Sequence, residues 1–286
     1  MNPARWLLRS ALDRSAVGHH IDGVRRSVRG VPRLQGARCL VTGGSSGIGR
    51  ALAVLLGSYG ASVLVVARSE DELAATCAEI EKAGGTAKYV PCDLSDSKDI
   101  ARLVQHLTDI DWIPDIVVNN AGHSIRRKAV DSVHRIHDYE RTARLNYLAP
   151  VELTLGLLPA MIERNSGHII NVGTWGVPAG TMPRFTAYHA SKAALTAFGR
   201  SLDAELASTN VRVTTAHFPL VRTPMIAPTA DYDAMPALTP EAAAEWIVHA
   251  IETRPSTVEP IYARYAQLLS IVAPRAVNAL TTSVGI

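Results

Sequence analysis

Tyr188 and Lys192 stand four residues apart in Tyr188-His189-Ala190-Ser191-Lys192. On a helix this spacing puts a phenol and an ammonium on one face, a turn apart. A nearby ammonium favours the phenolate, so a phenol whose ordinary pKa is about 10 becomes a proton donor or acceptor closer to neutrality. A solvated or packing pair on an amphipathic helix has the same spacing. Choosing between the two depends on what the chain sets beside the pair.

Upstream, Ala37 to Thr42 reads as a short buried strand. It runs into Gly43-Gly44-Ser45-Ser46-Gly47-Ile48-Gly49 and then a helix pattern from Arg50 to Tyr59. Strand, glycine turn, helix is the context of a dinucleotide site. Glycines let the backbone approach a pyrophosphate, and the helix N-terminus offers unpaired N–H groups and a favourable dipole. The spacing is Thr-Gly-x-x-x-Gly-x-Gly, not the common G-x-G-x-x-G. A second strand, Ser62 to Ala67, ends at Arg68-Ser69, where such a unit faces the adenosine ribose. Arg68 has no acidic neighbour until Glu70, which favours NADPH over NADH; an ordinary surface arginine leading a helix is the alternative.

Helix patterns at Glu70 to Ala83 and Lys98 to Asp109 alternate with strands at Ala87 to Cys92 and Asp115 to Val118, the last entering Asn119-Asn120-Ala121-Gly122. The alternation predicts an α/β fold: a single Rossmann-type domain with a doubly wound parallel sheet and helices on both faces. Its site should lie beyond the C-terminal ends of the strands. Next come one long helix from Asp138 to Glu163, a strand from His168 to Gly173 leading to Thr174, a helix from Tyr188 to Ser208 and a strand from Val211 to Phe218. From Pro224 to Pro240 the chain is rich in Pro, Ala and Met and reads as a loop that covers a substrate and closes on binding. Its Met225, Ile226, Tyr232, Met235 and Leu238 fit an apolar substrate and packing against the body equally well. The expected organisation is a basic arm at 1–35, a catalytic body at 36–260 with the substrate loop at about 221–240, and a helical tail at 261–286.

The chain has 286 residues, 47% of them hydrophobic, enough for one domain with a full core. Its three cysteines, Cys39, Cys77 and Cys92, are odd in number and scattered, which predicts free thiols in a reducing, cytoplasmic compartment. Residues 1–38 hold eight Arg and two Asp, a net +6, so a chain of net +3 has a body of net −3. Trp6, Leu7, Leu8 and Leu12 among those arginines describe either a short amphipathic helix on anionic lipid, peripheral to the inner face of a membrane, or a solvated arm or oligomer contact. Confinement of the basic residues to one arm, with little aromatic interleaving, argues against nucleic acid as a partner. No run reaches the ~18 consecutive apolar residues of a membrane span. No ligand spacing among the ten His points to a metal.

Thr42-Gly43-x-x-x-Gly47-x-Gly49, Asn119-Asn120-Ala121-Gly122 and Tyr188-x-x-x-Lys192, in this order and at these separations, resemble the short-chain dehydrogenase/reductase family over about residues 36–260. The resemblance implies an NAD(P)-dependent oxidoreductase. It places the cofactor pyrophosphate over Thr42, Gly43, Ser45, Ser46, Gly47, Ile48 and Gly49, with the NADPH 2′-phosphate at Arg68. Asp93 and Leu94 match the adenine side, which Asn120, Ala121 and Gly122 support. Pro219, Val221 and Thr223 match the nicotinamide side, with Thr223 at the carboxamide. Tyr188 would donate the proton, Lys192 would hold the ribose and lower the Tyr188 pKa, and Asn146 would anchor a water relay. The family places a serine one residue nearer the tyrosine; here Thr174 precedes Tyr188 by 14 residues. A threonine hydroxyl can still donate to a carbonyl oxygen, though its extra methyl stiffens the rotamer.

Ser124-Ile125-Arg126-Arg127, His137-Asp138-Tyr139-Glu140-Arg141-Thr142 and Pro219 to Thr229 look like the bacterial fatty acyl-CoA reductase branch of that family. This implies an apolar fatty acyl substrate, acyl-CoA or aldehyde, and a homodimer or homotetramer formed through the helices that contain Asn146 and Tyr188. Arg126 and Arg127 would meet a CoA phosphate or lie in a solvated loop. A ketone, steroid or 3-oxoacyl dehydrogenase/reductase is the alternative among enzymes. Outside them stands a non-catalytic dinucleotide-binding protein, favoured by Thr174 and opposed by Asn146, Tyr188 and Lys192.

Overall fold

The computed structural model describes residues 34–284 apart from 228, 230, 231, 233 and 234. The basic arm and its membrane reading lie outside the described residues.

Seven parallel strands form one sheet in the order β3-β2-β1-β4-β5-β6-β7: β1 Arg38–Thr42, β2 Ser62–Ala67, β3 Thr86–Pro91, β4 Ile116–Asn119, β5 Gly167–Thr174, β6 Val211–Phe218 and β7 Thr257–Val258. The order reverses between β1 and β4, which opens a crevice at their C-terminal ends. The central strands are buried on both faces, which is why these segments read as continuous apolar runs instead of alternating ones. On one face Cys39, Val41, Val63, Val65 and Val118 pack against Leu52 and Leu56 of α1 (Gly47–Ser58), Ile80 of α2 (Glu70–Lys82) and Ile247 of α8 (Pro240–Thr253). On the other, Leu40, Leu64, Val117 and Ile169 meet Leu103 of α3 (Ser97–Asp109), Leu153 and Met161 of α5 (Ala149–Glu163) and Leu202 of α7 (Thr186–Glu205). Burying each such side chain stabilises by about 1.5–3 kcal/mol. The edge strand β3 is largely exposed and carries Lys88 and Pro91, which discourage pairing with another chain.

Predicted and observed elements agree to within a few residues, with three corrections. The single helix expected over Asp138–Glu163 is α4 (Ile136–Ala143) and α5 joined by a π-helical turn, Arg144–Leu148, that holds Asn146. The run Ile136–Glu163 is apolar and long enough to cross a membrane by composition, yet Leu153, Leu157 and Met161 bury one side of it on the sheet. A one-turn helix, α6 (Gly176–Ala179), and the two-residue β7 are additions that no periodic pattern announces, because both are too short to show one. The tail is two helices, α9 (Ile261–Val272) and α10 (Pro274–Val284).

His168 and His217 are fully buried on β5 and β6; His168 Nε2 lies 2.8 Å from Thr214 Oγ1 and His217 Nδ1 lies 3.1 Å from the Thr174 carbonyl. Burial pulls their pKa values down to about 3 and about 4. The unfolded chain, with ordinary histidines near pH ~6.5, therefore takes up protons first. Stability from this pair is complete above about pH 6.5 and is lost as pH falls toward those folded-state values, with a slope of up to ~2.7 kcal/mol per pH unit. Thermal denaturation across this range should show Tm dropping with acidification, and less steeply for His168→Gln. Equal slopes for the two proteins would contradict the account.

Candidate active site

A cleft of about 1790 Å³ runs along the C-terminal ends of the strands. One end is the turn between β1 and α1. Gly47 has φ +53, a left-handed conformation that costs a side-chain-bearing residue energy. At Gly49 a Cβ would sit 2.2 Å from the Gly43 carbonyl oxygen and 2.5 Å from Asn120 Nδ2, so only glycine fits. Ser46 precedes α1 without a side-chain cap bond, and the first turn holds no acidic residue. Its leading N–H groups are left to the cleft, which suits a phosphate. Gly43, Ser45, Ser46, Gly47, Ile48, Arg68, Asp93, Leu94, Asn120, Ala121, Gly122, Pro219, Val221 and Thr223 all line the cleft. The residues present thus fit a pyridine dinucleotide along its whole length. Glu72, which carries no motif in the sequence, also lines the cleft near Arg68.

Thr42 and Asn146 stand behind this lining, as does Gly49. The Thr42 hydroxyl donates to the Val118 carbonyl (3.1 Å) and accepts from Asn120 N (2.9 Å) and Ala121 N (3.0 Å). Asn120 Nδ2 returns to the Thr42 carbonyl at 2.8 Å. These bonds lock the β4 turn to the glycine turn, so Thr42 shapes the cleft from behind. Asn146 is fully buried. Its amide pins the backbone of His123, accepting from His123 N and donating to His123 O, each at 2.8 Å, and also donates to Ser191 Oγ at 3.0 Å. The π turn supplies this orientation, as such turns often do at functional sites. Ser191 in turn donates to the Tyr188 carbonyl at 2.7 Å. Sequence motifs do not single out Ser191, although it sits at the third position after Tyr188 on the same helix face.

Between Thr174 and Tyr188 the chain makes α6, turns at Gly180 (φ +85) and again at Arg184 (φ +67). The 14-residue interval is absorbed there: Thr174 and Tyr188 both line the cleft, and the Thr174 hydroxyl, 3.9 Å from Met182 Sδ, lies near enough to act on the Tyr188 phenol. Burial pushes that phenol up to about 12, against the smaller downward pull of the nearby Thr174 hydroxyl. Burial also pushes the Lys192 ammonium down to about 8, and its Nζ donates to the Val172 carbonyl at 2.8 Å. The expectation that Lys192 draws the phenol toward neutrality is therefore not met in the chain alone. Lys192 is buried and Tyr188 is half-buried at the cleft wall, which disfavours their charged forms.

Beside the phenol is an apolar wall. Met182, Phe185 and Tyr232 form a buried cluster joined by Tyr188, Leu220, Ile226 and Met235. Of the loop residues expected over the substrate, Met225, Ile226, Tyr232 and Met235 line the cleft, while Leu238 packs into the main core. Tyr262 of α9 also lines the cleft and meets the Trp175 ring edge-on at 5.6 Å. Nothing local in the sequence marks Tyr262, because its place depends on how the tail folds back. His189 is half-buried beside Gly176, and His134 and His137 are exposed.

A family model described as short chain dehydrogenase matches residues 37–233. The chain is a short-chain dehydrogenase. It is 50% identical over 247 residues to a fatty acyl-CoA reductase of Mycobacterium tuberculosis, covering 86% of this chain and 84% of that one. It is 46% identical over 253 residues to a fatty acyl-CoA reductase of Acinetobacter baylyi, covering 88% and 85%. Among solved structures, a metagenomic short-chain oxidoreductase in complex with NADP superposes with a TM-score of 0.68 at 32% identity, over 80% of this chain and 99% of that one. As a short-chain dehydrogenase this protein is an NAD(P)-dependent oxidoreductase.

Proposed function

We propose that this short-chain dehydrogenase uses NADPH to reduce the thioester carbonyl of a fatty acyl-CoA to an aldehyde. One observation carries the reading: Thr174 and Tyr188 both line the cleft beside an apolar pocket built by Met182, Phe185, Ile226 and Met235. Two hydroxyls there suit a carbonyl oxygen, and the apolar wall suits an acyl chain. The names of the two bacterial relatives point to the same substrate class.

The bound dinucleotide supplies a hydride. The chain supplies the rest. Thr174 and Tyr188 hold the carbonyl oxygen, and Tyr188, neutral below a pKa of about 12, gives its proton to the oxyanion as charge develops. The resulting hemithioacetal collapses by breaking its C–S bond, releasing aldehyde and free thiol. Lys192, carrying its proton below about pH 8, is the nearest positive charge along α7 and re-supplies the proton path. Asn146 and Ser191 keep the Tyr188 turn and the His123 backbone in register. Ser45, Ser46 and Ile48 would present backbone to the pyrophosphate, Asp93 and Leu94 would flank the adenine, and Thr223 would meet the carboxamide. The body at 36–260 is the catalytic unit, with 221–240 as its substrate loop and 261–286 as its tail, from which Tyr262 reaches the pocket. Leu148, Leu155 and Ile162 make an exposed stripe at seven-residue spacing along α5 and the turn that leads into it, a face suited to a homodimer. The cysteines are free and buried, as suits a reducing cytoplasm.

Arg68, at the end of β2, would hold the 2′-phosphate. Arg68→Ala should weaken NADPH binding by about 30- to 100-fold and leave NADH within about threefold. An unchanged preference would move the selectivity elsewhere. The substrate is tested by offering a long-chain acyl-CoA, a fatty aldehyde and a 3-oxoacyl ester to the enzyme with NADPH. Aldehyde formed from acyl-CoA supports the reading, whereas turnover of the ketone alone would replace it.

A further inference from the structure

Asp138, at the start of α4, has a side chain only 2% exposed, yet three arginines converge on it. Arg135 Nε is at 2.8 Å, Arg141 at 2.9 Å, and Arg127 also pairs with it. Arg135, Arg141 and Arg127 hold its carboxyl down to about 2. A carboxylate accepts about four hydrogen bonds, while three guanidinium groups offer about fifteen N–H donors. One anion cannot satisfy them, and their side chains remain 31%, 42% and 54% exposed for Arg127, Arg135 and Arg141. Arg127 and Arg141 line the cleft, together with Arg126, whose guanidinium lies 5.8 Å from the centre of the Tyr232 ring. Residues 123–141 hold five Arg or Lys against three Asp or Glu, in a body of net −3.

We propose that this Asp138-centred arginine cluster is the subsite for the phosphates of coenzyme A, a site separate from Arg68; the assignment rests on the acyl-CoA reading above. Asp138 orients the guanidinium groups, and the outward donors of the two that line the cleft, Arg127 and Arg141, take the diphosphate and 3′-phosphate. The cluster is tied to the catalytic helix. Arg127 N donates to the Arg184 carbonyl at 2.7 Å, and the Tyr139 hydroxyl lies 2.8 Å from Thr186 Oγ1 at the start of α7. A carrier held there is in register with Tyr188. Arg68, Arg126, Arg127 and Arg141 all line the one cleft, so it can serve both nucleotides.

The probe is coenzyme A itself, titrated by calorimetry into wild type and Arg141→Ala at saturating NADPH, alongside kinetics on acyl-CoA and on the matching fatty aldehyde. We expect the dissociation constant for coenzyme A and the KM for acyl-CoA to rise by about tenfold in the variant. The kcat should stay within about twofold, and the aldehyde KM should not follow. The difference should shrink in high salt, and Arg141→Lys should recover part of it. Unchanged coenzyme A binding, equal losses on acyl-CoA and aldehyde, or a loss seen with acyl carrier protein alone would overturn the subsite. If coenzyme A binds wild type and not the variant, while wild type reduces no acyl-CoA, the subsite stands and the acyl-CoA reading falls.

Discussion

Tyr188→Phe should reduce turnover by about 10²- to 10⁴-fold, the usual contribution of a positioned general acid. Cofactor affinity should stay within several-fold. The phenyl ring keeps the apolar packing against Phe185, whose ring centre lies 6.2 Å away, so neither fold nor pocket should change. What is lost is the phenol's hydrogen bond to the carbonyl oxygen and the proton it would give. The raised pKa sharpens the expectation. A phenol held neutral up to about pH 12 is a donor over the whole working range, so activity in the reductive direction should not need tyrosinate. Pre-steady-state kinetics with a fluorescence titration of NADPH separates the two quantities. A parallel loss of binding and turnover would remove Tyr188 from the chemistry and make it a structural residue.

The second large effect is steric. Gly49→Ala puts a methyl 2.2 Å from the Gly43 carbonyl and 2.5 Å from Asn120 Nδ2, and neither is a flexible end that can swing away. Gly43 O belongs to the turn itself, and Asn120 Nδ2 is committed to the Thr42 carbonyl. The turn must therefore move away from β4, and the backbone that should cradle the pyrophosphate moves with it. We expect dinucleotide affinity to fall by about 100-fold or more, with about 1–3 kcal/mol of lost stability from overpacking. Gly84→Ala is the control. Gly84, unlike Gly49, has positive φ, but nothing lies within 4 Å of its Cβ position, so the strain there should leave cofactor binding alone. Calorimetric titration of NADPH into both variants checks the contrast, and affinity within about threefold for Gly49→Ala would contradict the cradle.

Much of the sheet is legible in the sequence because its inner strands are buried on both sides. A short, continuous apolar run bounded by glycine or a polar turn, with helix periods on either side, fits a buried strand and little else. Ser62–Ala67 and Val211–Phe218 match the observed strands to the residue for that reason. The glycine turn and the Tyr188/Lys192 pair are legible because their spacing is short and backbone geometry alone sets it. What the sequence hides depends on long-range packing. The resemblance gives Thr42 to the cofactor and Asn146 to a water relay, but the structure commits their polar atoms to backbone groups 76 and 23 residues away. The sign of the Tyr188 shift follows burial, which no four-residue spacing reveals. Whether Thr174 can reach the phenol turns on α6 and on positive φ at Gly180 and Arg184. Tyr262 enters the pocket from the tail, and the arginines around Asp138 show in the sequence only as scattered charges.

The central claim is that the Thr174/Tyr188 pair reduces a fatty acyl thioester. The most direct measurement follows NADPH oxidation and free thiol together, with a long-chain acyl-CoA as substrate and a carbonyl trap to stop further reduction of the aldehyde. The account predicts one thiol released for each NADPH consumed, with both signals lost in Tyr188→Phe. NADPH oxidation without thiol, or no reaction in an enzyme that binds both NADPH and acyl-CoA, would contradict it.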